Sequence, residues 1–430
     1  MSFARRIAFA TVGCKLNQYE TAALQTAFEA AGFQRVAFDQ VADVYVVNSC
    51  AVTHRSEADS RKLARRAARL NPEALVVLAG CYAQLQPAQA SAVEGVGLVV
   101  GTDARAHLVN LVEEALAGVL PRQALTDFQP GAVVSGPASA PRRRAYLKAQ
   151  DGCDFDCAYC AITLARGPSR SRQVEDILRE AEILLERGAV ELILTGVNVG
   201  DWGKGYSPRR TLAWLARKVL ALGEGFRVRF SSLEPQFLSG ELFELLGFEP
   251  RIAPHLHMPL QSGSERLLER MRRPHTVAQF IKFCSIAKFN DPAVGLGTDL
   301  ITGLPGETDE DFEATLNLVE ALPLTYGHVF SYSERPGTLA ATWPDDVPPE
   351  VKKARARALR EALAAKQAQF LQRMIGRRLE VVAEEEISSG LWQGTSGNYL
   401  TVRFEASSPP ALAEVEITEA RQDWLVGTLE

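Results

Sequence analysis

The chain has 430 residues, enough for two or three domains, and its 47% hydrophobic and 23% charged residues are ordinary for a globular enzyme. It contains no apolar run long enough to span a bilayer and no secretory signal pattern at its start, so we expect a cytoplasmic protein without membrane spans. The formal net charge of −5 excludes neither nucleic acid nor protein as a partner, because local patches decide binding. Seven cysteines in such a chain favour metal ligands or reactive thiols over disulfides.

The first part of the chain alternates between strand and helix patterns. The predicted strands are 6–11, 42–48, 74–80 and 96–102. Helical patterns follow each strand, and the one at 56–70 is strongly basic. This alternation is typical of an open parallel sheet covered by helices, so residues 1–120 are assigned to a parallel α/β domain. The next stretch, 121–138, is rich in Pro, Gly, Ala and Ser and is predicted to be a linker.

The alternation resumes after the linker and continues for six strand–helix units. The predicted strands are 145–150, 191–196, 227–232, 255–260, 294–301 and 326–332. Six units are too few for a closed eight-fold barrel, so residues 139–368 are predicted to form a partial (β/α)6 barrel. The tail, 369–430, shows short strand patterns separated by turns, as in a small antiparallel β-barrel. The fold class predicted for the whole chain is therefore α/β, with a β-barrel at its end.

Three cysteines lie close together directly after the first strand of the second domain. In DGCDFDCAYCAI, Cys153, Cys157 and Cys160 are separated by three and then two residues. Structural zinc is the alternative metal, but it requires four ligands, and the acidic character of the loop argues against simple packing of the thiols. A loop of this length suits three corners of an iron–sulfur cluster and leaves one iron without a protein ligand. A catalytic metal site keeps such an open position for its substrate.

The C-x3-C-x2-C motif, with Tyr159 before its last cysteine and a six-unit β/α domain behind it, resembles the radical S-adenosylmethionine superfamily. The resemblance implies that S-adenosylmethionine chelates the open iron of a 4Fe–4S cluster through its amino and carboxylate groups. It also implies reductive cleavage of the sulfonium to methionine and a 5′-deoxyadenosyl radical, with an electron donor such as flavodoxin or ferredoxin. The protein then orients the cofactor and excludes water.

Three further cysteines are far apart in the sequence but equivalent in the predicted fold. Cys14, Cys50 and Cys81 each lie in the loop that follows a strand of the first domain. The carboxyl ends of parallel strands share one edge of a sheet, so we expect these thiols to converge there. Burial as a small hydrophobic residue is the alternative for each of them. It is our interpretation of Cys284, which lies near the apolar face of a predicted helix.

The segments GCKLNQYE, VVNSCAVTHRSEADSRK and LAGCYAQ, together with the radical motif and the C-terminal β module, resemble the methylthiotransferases over nearly the whole chain. The resemblance implies a second 4Fe–4S cluster on Cys14, Cys50 and Cys81 that binds or supplies the transferred sulfur. One S-adenosylmethionine would give the methyl group and another the radical. The tail would then be a TRAM-like RNA-binding module, although residues 377–430 contain ten acidic side chains and no lysine.

Methylthiotransferases act on three classes of substrate, and the dipeptide after the first cysteine differs between them. Lys15 and Leu16 look like the class that acts on N6-threonylcarbamoyladenosine beside the tRNA anticodon, at position 37. The isopentenyladenosine class usually has Gln-Met there, and the class that acts on a ribosomal-protein aspartate has Pro-Lys. We therefore expect methylthiolation at C2 of threonylcarbamoyladenosine, with the other two classes as alternatives. A non-enzymatic RNA-binding or electron-transfer module is a further alternative, against which the open iron positions argue.

Candidate contacts to S-adenosylmethionine are polar groups at strand ends, where catalytic residues of such sheets lie. They are Thr195, Asn198, Ser232, Glu234 and Gln261, and Tyr159 in the cysteine loop is a further candidate. Arg166, Arg170 and Arg172 follow the cluster loop and are candidates for the cofactor carboxylate, an RNA phosphate or a structural ion pair.

Candidate contacts to tRNA are basic side chains in two regions. They are Arg61, Arg65 and Arg69, which recur every four residues on the basic helix, and Arg142, Arg143 and Arg144. Such stripes neutralise phosphates, although a solvated helix face is equally consistent with the pattern. His255 and His257 alternate on a strand, and we expect them to line a core or cavity rather than to bind metal.

Overall fold

The computed structural model describes residues 4–119, 123–124, 135–136, 142–344 and 346–430. Most of the predicted linker at 121–138 therefore lies outside the described residues, and the domain boundaries stay predictions. Within the described ranges, no helix combines the length and the apolar character that crossing a membrane requires.

The first part of the chain forms a six-stranded parallel sheet with helices on its faces. Its elements are β1 (Arg6–Thr11), α1 (Lys15–Ala30), β2 (Gln34–Val36), β3 (Val44–Ser49), α2 (His54–Leu70), β4 (Leu75–Gly80), α3 (Cys81–Leu85), α4 (Pro87–Ser91), β5 (Val96–Val100), α5 (Leu108–Leu116) and β6 (Gln123–Ala124). The strand order is β2-β1-β3-β4-β5-β6. The four predicted strands are confirmed to within two residues. The sequence pattern missed β2 and β6, because two or three residues carry too little periodicity.

The order of the first sheet places β1, β3 and β4 side by side. All six residues of β3 are buried, as expected for the centre of a parallel sheet covered on both faces. Helix α2 begins with a capping box in which Thr53 and Ser56 bond each other's backbone N–H. Its Ala64 and Ala67 are buried, so its basic residues face away from the sheet.

The second part contains six parallel strands in chain order and a further pair of two-residue strands that is antiparallel. Its elements are β7 (Arg144–Lys148), β8 (Gln150–Asp151), α6 (Ile162–Arg166), β9 (Arg170–Ser171), α7 (Val174–Glu186), β10 (Glu191–Thr195), α8 (Leu212–Leu220), β11 (Arg227–Phe230), α9 (Gly240–Phe248), β12 (His255–His257), α10 (Glu265–Arg270), α11 (Val277–Asn290), β13 (Gly295–Thr302), α12 (Asp309–Ala321), β14 (Tyr326–Ser331) and α13 (Pro349–Gln372). Two sheets, β7-β10-β11 and β12-β13-β14, are joined by a parallel bridge between Val228 and Ile252. The predicted partial (β/α)6 barrel is confirmed.

The tail forms a closed five-stranded barrel. Its strands are β15 (Arg378–Ser388), β16 (Leu391–Ser396), β17 (Thr401–Glu405), β18 (Leu412–Ala420) and β19 (Leu425–Leu429). The predicted antiparallel barrel is confirmed, with four antiparallel strand pairs and one parallel pair, between β17 and β19. The sequence pattern missed β16, which contains Gly394. A Cβ at Gly394 would lie 2.0 Å from the Val382 carbonyl oxygen, so close strand approach explains this glycine.

The C-terminal barrel docks on the amino-terminal ends of the central strands. The Arg229 guanidinium donates to the carbonyl oxygens of Ser396 and Gly397, both at 2.9 Å, and to Glu191 on the neighbouring strand, also at 2.9 Å. The Asn398 side chain donates to the Ala293 carbonyl at 3.1 Å. The tail therefore closes this end of the barrel and leaves the carboxyl ends of the strands for the site.

Candidate active site

The three dispersed cysteines of the first domain converge at the carboxyl edge of its sheet. Cys14 is the N-cap of α1, and Cys50 follows β3 directly. Cys81 was predicted in a loop but is the first residue of α3, because that helix begins immediately after β4. A Cβ on Gly13 would lie 2.5 Å from the Cys50 Sγ, so the loops that carry Cys14 and Cys50 are in contact. Gly13 has φ +97°, a conformation that L side chains rarely adopt.

Two of the first-domain thiols, Cys14 and Cys50, lie in a protein environment that opposes their ionisation. Burial raises the pKa of Cys50 to about 11, and it also raises the pKa of Cys14. Cys14 is nevertheless exposed. The backbone amides of Asn17 and Val52 lower the pKa of Cys14 and Cys50, respectively, and so partly offset the effect of burial. These donors, with a bound metal cation, favour the thiolate form that ligation requires.

The second triad lies on the single loop between β8 and α6. Burial raises the pKa of Cys153 to about 11 and that of Cys160 to about 12. The Asn198 amide donates to the Cys153 Sγ at 3.8 Å, and the Arg273 guanidinium donates to the Cys157 Sγ at 3.5 Å. Hydrogen bonds to ligating sulfurs are a recognised control of cluster potential.

Gly152 starts the loop of the second triad, as Gly13 starts that of Cys14. Its φ is +72°, and a Cβ there would lie 2.0 Å from the Pro168 carbonyl oxygen. A backbone oxygen cannot move aside as a side chain can, so only glycine fits this position. The two glycines allow each loop to turn sharply into its first cysteine.

The number of cysteines at each site distinguishes a cluster from structural zinc. A structural zinc ion takes four protein ligands, whereas each site offers three cysteines. In the described part of the chain, a compact group of His and Asp side chains lies elsewhere, namely His257, Asp299 and His328. Three thiolates and the N–H donors to sulfur fit 4Fe–4S clusters better than zinc.

A cavity of about 260 Å³ connects the two cysteine regions. One wall is residues 51–53, directly after Cys50, and another is residues 159–162, which include Cys160. The strand ends of the central barrel supply the rest, among them Gln261, Asp299 and Phe330. Residues 51–53, which follow Cys50 of the first domain, and Cys160 of the second domain thus line one cavity.

The structure brings most of the candidate cofactor residues to the same end of the barrel. Tyr159 and Gln261 line the cavity. Thr195 and Asn198 are buried at and beyond the end of β10, and the Asn198 Oδ1 has no hydrogen-bond partner among the described residues. A buried oxygen without a partner is suited to accept a hydrogen bond from a bound cofactor. Glu234 forms an ion pair with Arg273, which also contacts Cys157.

Ser232 differs from the other candidate cofactor residues because the structure places it in an exposed position. The adjacent Ser231 is buried, and its hydroxyl has no partner among the described residues. Successive residues of an extended segment point to opposite sides, so the Ser-Ser pair alone did not distinguish them. Ser231 is therefore the better candidate on geometry.

The three arginines after the cluster loop all form buried ion pairs, so the structural alternative holds for each of them. The pairs are Arg166–Glu20 (2.8 Å), Arg166–Asp151 (3.0 Å), Arg170–Asp103 (2.6 Å) and Arg172–Glu180 (2.8 Å). Glu20 and Asp103 belong to the first domain, so two of the arginines join the domains across their interface.

Glu20 is the centre of this interface and is completely buried. It accepts from Lys148 at 2.7 Å, Arg105 at 2.9 Å and Arg166 at 2.8 Å. Burial alone would raise the Glu20 pKa, but these cations outweigh it and hold the pKa well below its usual range. Arg166 also donates to the Asn17 side chain at 3.0 Å, and Asn17 donates to the carbonyls of Val12, two residues before Cys14, and Ser49, directly before Cys50. The network therefore positions the first triad against the second domain.

Some of the candidate tRNA contacts are exposed side chains, and others already contact groups of the protein. Arg65 and Arg69 are exposed on α2, and Arg61 lies over the Tyr82 ring at 5.5 Å. Arg142 is exposed. The other two arginines of that run join the C-terminal barrel or the central sheet: Arg143 donates to the Ala383 carbonyl at 2.6 Å, and Arg144 pairs with Glu191 at 2.7 Å.

Several residues at the site were not singled out from the sequence. Arg273 contacts both Cys157 and Glu234, Asp299 and Phe330 line the cavity, and Arg335 pairs with Glu57 at 2.6 Å. The alternation of inward-facing positions along the last two central strands could have indicated Asp299 and Phe330. The sequence motifs around Arg273 and Arg335 did not indicate these two arginines individually, because their partners lie far away in the chain.

Comparison with known proteins agrees with this arrangement. The profile of the radical SAM superfamily matches residues 147–319, and that of uncharacterized protein family UPF0004 matches residues 6–101. The threonylcarbamoyladenosine tRNA methylthiotransferase MtaB of Bacillus subtilis is 37% identical, over 93% of this chain and 90% of the relative. The chain belongs to the radical SAM tRNA methylthiotransferase family. Its cofactors are two 4Fe–4S clusters and S-adenosylmethionine.

The family also contains relatives with a different named product. The tRNA-2-methylthio-N(6)-dimethylallyladenosine synthase of Acidothermus cellulolyticus is 33% identical, over 97% of this chain and 86% of the relative. Among solved structures, the radical S-adenosylmethionine methyltransferase TsrM of Kitasatospora setae matches with a TM-score of 0.57 and 15% identity, over 76% of this chain and 75% of TsrM. At that identity TsrM shows the shared fold alone.

Proposed function

We propose that this methylthiotransferase adds a methylthio group to C2 of N6-threonylcarbamoyladenosine at position 37 of tRNA, beside the anticodon. Cys153, Cys157 and Cys160 hold one cluster in this proposal, and Cys14, Cys50 and Cys81 hold the other. The observation that carries it is the shared cavity, whose walls include residues 51–53 and 159–162. A sulfur source and a radical source must lie within reach of one carbon atom, and one cavity between two clusters meets that requirement.

When bound, S-adenosylmethionine and the clusters supply a carbon-centred radical and the methylthio group. The chain's own residues hold the partners in place. Phe330 is 43% exposed although it lines the cavity, so its ring is free to stack on an adenine base. Asn198 and Ser231 offer buried, unpartnered oxygens to a cofactor, and Arg273 donates to the Cys157 sulfur. The enclosing walls exclude water from a reactive intermediate.

The exposed arginines of α2 suit the tRNA backbone. The helix begins at the cavity, since Thr53 lines it and the His54 N–H donates to Ser333 at 3.3 Å. Arg65 and Arg69 lie farther along the same helix and are exposed. In the proposed complex they contact phosphates of the anticodon arm while the target base enters the cavity. Reduction requires a donor such as flavodoxin or ferredoxin, and the reaction takes place in the cytoplasm.

The choice of threonylcarbamoyladenosine has two supports. MtaB proteins of four bacteria match at 34–37% identity, whereas the dimethylallyladenosine synthases match at 32–33%. Lys15 and Leu16 after the first cysteine are the second support, because they resemble the threonylcarbamoyladenosine class. Isopentenyladenosine remains the alternative tRNA substrate, and the ribosomal-protein aspartate is the alternative outside tRNA.

Mass spectrometry of tRNA nucleosides tests the proposed substrate. A strain that lacks the gene is expected to accumulate threonylcarbamoyladenosine and to lose its methylthio derivative. The chain supplied on a plasmid is expected to restore the derivative, and the Cys14→Ala variant is not. Loss of methylthio-isopentenyladenosine instead would favour the alternative tRNA substrate, and unchanged tRNA nucleosides in a strain without a second such enzyme would refute both.

A further inference from the structure

A group of polar side chains lines the interior of the central barrel next to the cavity. His257 on β12 pairs with Asp299 on β13 at 3.1 Å, and its ring lies 5.8 Å from that of His328 on β14. Asp299 and His328 are direct neighbours in the strand register. Asp299 also lines the 260 Å³ cavity, so this polar chamber is continuous with the space between the two triads.

The floor of the chamber is aromatic and comes from two domains. The Tyr326 hydroxyl bonds His255 at 2.8 Å and His257 at 2.9 Å. Gly297 makes room for this ring, since a Cβ there would lie on the Tyr326 ring atoms. Tyr399 of the C-terminal barrel packs on His255 with ring centroids 4.6 Å apart. These contacts fix the position of the polar groups above them.

Lys15 brings a cation into this chamber from the first domain. It begins α1, directly after Cys14, and its ammonium lies 3.3 Å from the Tyr399 hydroxyl and 5.1 Å above the Tyr399 ring. The Lys15 and His328 side chains are both exposed. Burial would raise the pKa of Asp299, but the nearby side chains of His257, His328 and Lys15 lower it.

We propose that this chamber binds the N6 substituent of the target nucleoside, and that Lys15 is the residue that pairs with its carboxylate. The inference rests on the proposed function, since a threonylcarbamoyl group carries a carboxylate, a hydroxyl and a ureido group. The Lys15 ammonium forms a charge-assisted hydrogen bond with the carboxylate. His328 and Asp299 face the hydroxyl and the ureido N–H groups. The Lys15 side chain is thus a specificity-determining group for the reaction.

The same chemistry disfavours the competing substituent. An isopentenyl group is apolar and offers no partner to an ammonium, a carboxylate or an imidazole. Its entry would remove these groups from water without compensating hydrogen bonds. The chamber therefore selects against the isopentenyl substrate as well as for the threonylcarbamoyl substrate.

The test compares binding of three anticodon stem-loop RNAs to the reconstituted enzyme by fluorescence anisotropy. The RNAs carry threonylcarbamoyladenosine, its carboxyl methyl ester or unmodified adenosine. The unaltered enzyme is expected to bind the acid at least about tenfold more tightly than the ester. Lys15→Gln is expected to remove this difference, and Lys15→Arg to keep most of it. Lys282→Gln, which changes an exposed lysine on α11, is the matched control and is expected to keep the full ratio.

Two further measurements keep the test decisive. Iron content and thermal unfolding show whether the Lys15 variant is folded, and His328→Gln, on a different strand, is expected to reduce the preference in the same direction. Equal weakening of all three RNAs by Lys15→Gln would assign Lys15 to phosphate contact and overturn the inference. An unchanged acid-to-ester ratio would also overturn it. If the unaltered enzyme makes no methylthio product on the acid RNA, the proposed function itself fails, whereas product formation with an unchanged ratio defeats only this inference.

Discussion

Residues beside both cysteine triads line the same cavity, but the two triads are built in different ways. Cys153, Cys157 and Cys160 lie within eight residues on one loop, whose shape is set by Gly152 and by N–H donors from Asn198 and Arg273. The other triad is assembled from three strand ends, so its geometry depends on the sheet and on the domain interface behind it. A site on one loop keeps its geometry when distant parts of the chain change. A site assembled from several elements loses its geometry when any of those elements is destabilised.

Replacing one cysteine in each triad gives the largest effects and separates the two roles. We expect Cys153→Ala to abolish both S-adenosylmethionine cleavage and methylthio transfer, because both require the cluster on the contiguous loop. Cys14→Ala is expected to keep cleavage and to lose methylthio transfer. In each variant anaerobic reconstitution should yield about four iron atoms per chain instead of about eight. Full iron content in Cys14→Ala would contradict the assembled cluster.

Substitutions of Gly152 and Gly13 test the same difference between the two triads without changing a cysteine. Gly152→Ala places a Cβ against the Pro168 carbonyl, so we expect at least a tenfold loss of S-adenosylmethionine cleavage, on the order of what small misplacements cost. Gly13→Ala places a Cβ against the Cys50 side chain, and we expect it to reduce methylthio transfer while cleavage continues. Gly32→Ala is the control, because its φ is +87° but no atom lies within 4 Å of a Cβ there. Equal losses in Gly13→Ala and Gly32→Ala would mean that backbone strain alone explains the effect.

The buried ion pairs of Glu20 lie behind the first-domain triad, so breaking them also distinguishes the two triads. Glu20→Gln leaves Lys148, Arg105 and Arg166 without their shared carboxylate, and breaking such a buried pair costs about 3–5 kcal/mol. We expect a lower free energy of unfolding, measured by urea denaturation, and faster iron loss from the first-domain cluster. Asp176→Asn breaks the exposed pair with Arg179 and should cost less than about 1 kcal/mol. Similar costs for both variants would show that the network is not a structural anchor.

Cys284 provides the smallest expected effect and checks the ligand assignment. It is completely buried on α11 and belongs to the apolar core of the central barrel. Cys284→Ala should cost on the order of 1 kcal/mol of stability, as for removal of a small buried group. Iron content and both activities should stay unchanged. A loss of iron in this variant would make Cys284 a ligand and would undo the division into two triads.

Periodicity in the sequence was sufficient to predict the longer strands and helices. The six central strands recur with helices between them, so each was predicted to within a few residues. The short strands β2 and β6 and the glycine-containing β16 carry no such pattern. The parallel pairing of β17 with β19 follows from closing a five-stranded barrel, which no local pattern encodes.

Side-chain roles at the site were harder to predict than the strands. The sequence left three possible roles for Arg166, Arg170 and Arg172. The structure shows that each of them forms an ion pair with a buried carboxylate on another element. The choice between Ser231 and Ser232 depended on which way an extended backbone turns each side chain. The role of a charged side chain depends on the group that it contacts, and that group is usually distant in the sequence.

The sequence by itself determined the contiguous cysteine motif, the positions of Cys14, Cys50 and Cys81 after strands, and the lysine that follows Cys14. These are local properties, because short spacing and alternation can be recognised without knowing the fold. Only the tertiary structure decided that residues beside both triads line one cavity and that Lys15 reaches a chamber built by three other strands and the C-terminal barrel. The order of strands in a sheet and the docking of one domain on another bring together residues hundreds of positions apart, and contacts at that separation depend on packing rather than on sequence pattern.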